Sequence, residues 1–448
     1  MKRYEAYDSF LDIWVNEIPA HWEAHKMKYL FHERSEKGYP DEPLLVASQN
    51  MGVVPKKVYG NRTVEAQKDL HLLKLVRVGD FVISLRSFQG GLEYAYYQGI
   101  ISPAYTVLTP HEPITAGYFR YLAKSKLFIG LLTLCVTGIR EGQNIDYEKL
   151  RNHSLPVPPR TEQDQIVRYL DWQVSKINRL IAAKKKQIQL LLAKKHAVAT
   201  GYVTHGLRPN VAVKDSGVNW LGTIPAHWSI RKLRTLLKPF SEKNRPDLSL
   251  LSVVREKGVI VRDVEDSENN HNFIPDDLSG YKVVHENQFV INKMKAWQGS
   301  YGIAPCDGIV SPAYFVFDID FENLEYFHYA IRSKVYVNFF AQVSDGIRVG
   351  QWDLSMDKMK NIPFIIPPTD EQREIVNRIK IETEAVEKAI TAVEKQIITL
   401  EEMRIRLISD VVTGQVDVRG IKVPDDEYIN NEITEEEFEE ESENNEEE

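Results

Sequence analysis

The sequence is poor in cysteine, in long apolar runs and in catalytic signatures, and each shortage excludes something. Cys135 and Cys306 are the only cysteines and stand alone, with no CxxC pair. Neither a disulfide framework nor a cysteine-built zinc site is therefore implied. The longest apolar stretch, LFIGLLTLCVTGI at 127–139, is too short to span a bilayer. The opening MKRYEAYDSF has no apolar signal core. Together these features read as a cytoplasmic protein with no membrane partner. There is no GxxxxGK[ST] phosphate loop and no HExxH. Nor is there a GxSxG, or a GxGxxG between a strand and a helix. His21 and His25 are four apart, but no third ligand lies near them and only His21 belongs to a repeated motif. No metal, no cofactor and no catalytic residue is expected on this chain.

Positive charge also looks scarce, with a net charge of −8, but its distribution is uneven. From Asp425 to the end there are 14 acidic residues and no Lys or Arg; without them 50 acids face 56 bases, about +6. The segment EEEFEEESENNEEE is too charged and too poor in apolar residues to fold, so residues 416–448 read as a disordered acidic tail. Such a tail either solubilises the chain or competes with DNA for basic surface. The remainder, with apolar content near the ordinary globular level (43% over the whole chain), is long enough for two or three domains.

What the sequence does have is repetition. IPAHW occurs at 18–22 after Trp14 and again at 224–228 after Trp220. Sliding the chain against itself by 206–209 residues gives further matches in order. LLVASQNMGVV (44–54) faces LLSVVREKGVI (250–260), and GDFVISLRSFQGG faces ENQFVINKMKAWQGS. GIISPAYTVL faces GIVSPAYFVF, and TGIREGQNIDYEKL faces DGIRVGQWDLSMDKM. LPVPPRTEQDQIV faces FIIPPTDEQREIV. The period is far too long for a solenoid; a whole domain and the segment after it are duplicated.

Each copy has two parts. The first mixes short β-rich runs punctuated by Gly, Pro and Asp with a helix late in the copy, AGYFRYLAKSKLFIGLL or ENLEYFHYAIRSKVYVNFF. That is an α+β domain. The second part, 160–200 or 369–413, contains neither Gly nor Pro and follows a Pro-Pro pair, with Thr161 or Thr369 placed to cap a helix. Ile166, Leu170, Ile177, Leu180 and Leu191 recur at heptad-like steps, as do Ile375, Ile379, Val386, Val393 and Leu400. Helices of about 40 residues are roughly 60 Å long, and two such stripes most simply bury each other in an antiparallel coiled coil. The expected architecture is α+β domain 1 (1–157), central long helix (158–205), domain 2 (206–366) and C-terminal long helix (367–415), pseudo-twofold symmetric.

The duplicated frame carries divergent turns. Gln49-Asn50-Met51 becomes Arg255-Glu256-Lys257, and Leu85-Arg86-Ser87 becomes Lys293-Met294-Lys295 before the shared Gln-Gly at Gln89 and Gln298. Such side chains make base and phosphate contacts in a DNA groove, so two copies would read two words; surface turns also drift. Shared residues are Ser102 and Tyr105 with Ser311 and Tyr314, and, in a glycine-bracketed GIRxGQ turn, Arg140 and Gln143 with Arg348 and Gln351. They suit either DNA-backbone contact and docking or structural loops. Trp22 and Trp228 are expected to anchor strands in the core.

The doubled order of SPAY, GIRxGQ and Pro-Pro-x-x-E-Q opening a long helix resembles the DNA specificity subunit of type I restriction-modification systems, over roughly residues 10–415. The resemblance implies a non-catalytic subunit whose two recognition domains each read half of a split, asymmetric sequence in double-stranded DNA. It implies that the helical pair spaces the halves and docks two adenine methyltransferase (modification) subunits. Residues near Tyr169 or Trp172 would then meet a partner instead of the sister helix. S-adenosylmethionine would sit on those subunits, and ATP and Mg on restriction subunits. Two alternatives remain. An S-adenosylmethionine-dependent DNA methyltransferase would need a cofactor loop that is missing; NIPF at 361–364 only faintly matches the Asn-Pro-Pro-aromatic loop of amino-methyltransferases. A non-catalytic scaffold or DNA decoy would show no sequence preference.

Overall fold

The computed structural model describes residues 2–49, 51–59, 69–84, 87–138, 144–208, 210–218, 221–255, 257–262, 275, 277–348 and 351–424, without the side chains of Leu11, Ile347, Arg348 and Gln351. Two compact units emerge: Met1–Lys185 with Lys395–Glu447, and Lys186–Glu394.

In the first unit, strands β1 (Phe31–Arg34), β2 (Phe81–Ile83), β3 (Glu93–Tyr94) and β4 (Thr106–Pro110) form an antiparallel sheet in the order β1-β4-β2-β3. Helices α1 (Ala116–Leu122) and α2 (Lys126–Leu134) follow, then α3 (Arg160–His205). The second unit repeats this. Strands β5 (Leu237–Phe240), β6 (Phe289–Asn292), β7 (Tyr301–Ile303) and β8 (Tyr314–Ile319) are ordered β5-β8-β6-β7. Helices α4 (Leu324–Ile331), α5 (Lys334–Gln342) and α6 (Thr369–Val412) complete it. Aromatic side chains join sheet to helices in both: Phe119 lies 4.5 Å from Phe31 and 4.7 Å from Phe81, and Phe327 5.5 Å from Phe289. Each fully buried Phe is worth about 1.5–3 kcal/mol.

The single helix expected late in each copy is two. The apolar pattern runs on without a gap, but Ser125 breaks it: its hydroxyl accepts the amide N–H of Phe128 and caps α2. Ser333 stands at the corresponding break between α4 and α5. Side-chain capping competes with helix continuation and wins at Ser125, whereas the Ser333 hydroxyl makes no capping bond.

The repeated IPAHW has a structural cause. In the first unit His21 Nε2 lies 2.7 Å from Glu162 Oε2, and the indole N–H of Trp22 donates to Oε1 of the same carboxylate at 3.0 Å. In the second unit His227 Nε2 and the indole N–H of Trp228 both meet Oε2 of Glu371, at 2.7 and 3.0 Å. Each acid sits in the first turn of a long helix, where a negative charge is favoured. The Gln that follows it also ties down the approach: Gln163 and Gln372 donate to the carbonyls of Pro158 and Pro367, both at 2.9 Å. Thr161 and Thr369 are not the caps; α3 begins at Arg160 and α6 at Thr369 itself, with backbone bonds onto Pro159 and Pro368. The prolines fix the chain just ahead of the first turn.

Each unit contains parts of both long helices, running antiparallel. In the first, Arg404 donates to Asn178 at 2.7 Å while Gln165 donates to the carbonyl of Val418 at 3.0 Å. In the second, Lys195 pairs with Glu387 at 2.6 Å and Tyr202 donates to Glu382 at 2.7 Å. Of the expected seam, Ile166, Leu170, Ile177, Ile375, Ile379, Val386 and Val393 are buried; Leu191 and Leu400 are half-buried. Leu180 is not in the seam, being 51% exposed, and Ile181 takes its place. A straight helix of 3.6 residues per turn drifts about 20° per heptad from a 3.5-residue repeat, so the buried stripe passes through Val174 and Ile181. Tyr169 is 2% exposed within its own unit's core, which withdraws it as a partner contact. The tail also starts later than 416. Val418 and Val423 are buried against the first unit, and Asp417 N–H donates to the carbonyl of Lys2. The acidic stretch 425–448 lies outside the described residues.

Candidate nucleic-acid interface

The first variable turn is a hairpin tip in both units. Leu45–Ser48 pairs antiparallel with Gly52–Pro55, and Leu251–Val254 with Gly258–Val261. Gly52 and Gly258 have φ of +73° and +75°, the left-handed region that L side chains disfavour. That explains a shared glycine beside unshared neighbours. Gln49, Arg255 and Lys257 are exposed, whereas Met51 turns inward.

The second variable turn follows the strand β2 or β6. In the second unit Lys295 is exposed, Met294 is 47% exposed, and Lys293 and Gln298 are half-buried. In the first unit Gln89 is exposed. Ser87 is fully buried, and its hydroxyl accepts the amide N–H of Ser84 at 2.8 Å, so it holds the turn together and does not face a ligand. Asn50, Arg86, Arg140 and Gln143 lie outside the described residues. Arg348 and Gln351 are placed by their backbone alone, as a facing pair in the hairpin Ser344–Arg348 with Gln351–Leu354.

Two residues absent from the sequence reading bring the turns together. Lys124 lies in the break between α1 and α2. Its ammonium donates to the carbonyl of Gln49 at 3.0 Å, to that of Gly90 at 2.9 Å, and to Glu93 Oε2 at 2.7 Å. Arg332 holds the corresponding break and donates to the carbonyls of Arg255 at 2.7 Å and Tyr301 at 2.6 Å. A shared basic residue in AKSK and IRSK was the available signal. In the second unit the GIRxGQ hairpin joins the same edge: Leu354 N–H donates to the carbonyl of Lys293, Lys293 pairs with Asp353 at 3.0 Å, and Trp352 lies 5.0 Å from Trp297.

The SPAY segments have a local role. Ser102 and Ser311 accept from the amides of Ala104 and Ala313 and close the turn into β4 or β8. The carbonyls of Tyr105 and Tyr314 accept from Lys74 at 2.8 Å and Lys282 at 2.6 Å. Tyr105 and Tyr314 are half-buried, and the Tyr314 hydroxyl accepts from Asn292 at 3.3 Å, at the base of the second turn. Burial and the neighbouring Lys243 and Lys293 hold the Lys282 ammonium below its ordinary range. Among the described residues no group of three or more His, Cys, Asp or Glu could hold a metal, and no helix is long and apolar enough to cross a membrane.

No family profile and no curated protein matches the chain. Solved structures do. A chain from a study of complex assembly and conformational transition of the type I R-M system aligns with a TM-score of 0.56 at 11% identity, covering 89% of this chain and 99% of that one. The HsdS subunit from Thermoanaerobacter tengcongensis covers 89% and 98% at 14% identity, with a TM-score of 0.36. The Type-I restriction-modification system S subunit from M. genitalium covers 90% and 97% at 12% identity, with a TM-score of 0.31. The chain therefore shares its fold with the type I R-M system chain to which it aligns at a TM-score of 0.56.

Proposed function

We propose that this chain is the non-catalytic specificity subunit of a type I restriction-modification complex, and that each unit reads one half of a bipartite, asymmetric DNA site. The observation that carries this reading is a duplicated frame presenting turns of different composition: exposed Gln49 with buried Met51 and Ser87 in one unit, exposed Arg255, Lys257 and Lys295 in the other. Identical frames give both readers the same way of meeting a duplex; different side chains give them different words. The helix α3 has 46 residues, about 70 Å at ~1.5 Å per residue, a length that suits half-sites a helical turn or more apart, about 34–36 Å per turn.

The long helices also dock two adenine methyltransferase subunits. Leu180 and Leu190 on α3, and Ile381, Ile398, Met403 and Ile405 on α6, are exposed apolar side chains of the kind a protein partner covers. S-adenosylmethionine belongs to those subunits, and ATP and Mg to restriction subunits where present. Sequencing of methylated bases in cells carrying this chain and its methyltransferase is the test. One split motif with methylated adenine in each half is expected; a contiguous motif, or none, would refute the reading.

A further inference from the structure

The two variable turns of a reader come from distant parts of its sequence, so something must fix one against the other. We infer that Lys124 and Arg332 are positioning residues for recognition, each locking the first turn of its unit to the second so that the pair forms one reading edge. This rests on the proposed reading of DNA by the two units. Neither cation touches the variable side chains through the bonds described; each grips main-chain carbonyls. Lys124 joins the carbonyl of Gln49, in the first turn, to that of Gly90, in the second. Arg332 spans the carbonyls of Arg255, in the first turn, and Tyr301, at the close of the second. Both project from the break between two helices, made where a serine follows: Ser125 in one unit, Ser333 in the other.

The chemistry differs in a way the geometry explains. A lysine ammonium has three donors, and Lys124 spends them on two carbonyls and the Glu93 carboxylate. The guanidinium is a planar fork; Arg332 uses Nη1 for the carbonyl of Tyr301 and Nη2 for that of Arg255, and Gly302 stands where the first unit has Glu93. Its Nη1 packs against Gly258, where an added Cβ would lie 3.1 Å away. On the other side of the molecule's repeat, Gly90 is closed against Gln49, whose side chain a Cβ would meet at 2.9 Å. A grip on carbonyls is blind to side-chain identity. The turns can therefore change their words while their placement is kept.

The test uses the full chain in complex with its methyltransferase subunits, with methylated-site sequencing as the readout and thermal unfolding alongside. The wild-type complex is sequenced first; if it shows no split motif, the functional reading has failed and not the positioning one. With a split motif in hand, Arg332→Met is expected to make one half degenerate and lower methylation of the original site about 10–100-fold, leaving the other half intact. Lys124→Met is expected to do the reverse. Arg332→Lys keeps the charge and one carbonyl bond, so it should restore most of the lost discrimination. A purely structural role would lower the melting temperature without confining degeneracy to one half. Unchanged motifs in folded variants, or equal loss in both halves, would overturn the inference. If Arg332→Met does not fold, Arg332→Gln, which is neutral and cannot span both carbonyls, decides: degeneracy confined to one half supports it, an unchanged motif refutes it.

Discussion

Glu93 makes the first unit lose stability as the pH rises. The residue has no exposed surface, and its Oε1 has no hydrogen-bond partner among the described residues. Burial pushes its pKa from 4.5 up to about 7; the charge of Lys124 and its hydrogen bond pull the other way and do not prevail. The folded chain therefore keeps Glu93 protonated at pH values where the unfolded chain has released the proton. A raised folded-state pKa gives stability that is present in full below the unfolded pKa and is lost as pH rises through the folded one. Over the window from about 4.5 to 7 the loss is about 3 kcal/mol, at ~1.4 kcal/mol per unit. Glu93→Gln keeps the volume and removes the titration. Urea-dependent hydrogen exchange at pH 5, 6, 7 and 8 resolves the units, with peptides covering 81–94 reporting the first and peptides covering 289–303 serving as the internal reference. The wild-type first unit should lose stability with rising pH relative to the variant, and the second unit should show no difference. Parallel pH profiles for wild type and variant in the first unit would refute the argument.

Other outcomes follow from the same structure. Glu162→Ala should destabilise the first unit by about 2–4 kcal/mol in urea unfolding, because it leaves the buried Tyr4 hydroxyl and Trp22 indole N–H without their acceptor. Gly52→Ala should cost about 1–3 kcal/mol and more than Gly258→Ala: both are left-handed, but at 52 the new Cβ would lie 2.7 Å from the carbonyl oxygen of Tyr94. Exchanging Gln49–Met51 for the turn of the second copy should change one half of the methylated motif only; a change in both halves would sink the assignment of that turn. Binding of the assembled complex to DNA should weaken steeply with salt, and Lys295→Ala should lower the slope of log K against log salt by about 1; an unaltered slope would remove Lys295 from the phosphate contacts.

The duplicated frame was legible because both copies keep residues that the backbone demands, such as Gly52 and Gly258 at left-handed φ. The long helices were legible from their apolar period, although Leu180 against Ile181 could not be separated by a heptad template that drifts on a straight helix. The break between α1 and α2 was not, since apolar spacing continues through Ala123–Ser125 and only the serine's capping bond marks the stop. IPAHW was visible as a repeat but silent about its partner: Glu162 and Glu371 lie far along the chain, and nothing local couples a Trp to a distant acid. Ser87 looked like a surface contact because its neighbours vary; only the fold turns its hydroxyl inward. Lys124 and Arg332 were hidden for a related reason. Most of their partners are carbonyls, which every residue has, so the shared basic residue before the serine marks the position but not what it grips.

The order in which the units become complete on the ribosome follows from how the long helices are divided. Lys186–Glu394 is one uninterrupted stretch, whereas the first unit needs residues from Lys395 onward. Leu407, Val411, Val412, Val418 and Val423 belong to its core, so the amino-terminal part must wait for them through the synthesis of everything between. At ~5–20 residues per second that delay is on the order of ten seconds or more. Throughout it, Ile166, Leu170 and their neighbours lack their final covering. The half of the protein made first is thus the last to close, and it is the half in which a chaperone or a nascent-chain mishap has the longest opportunity to act.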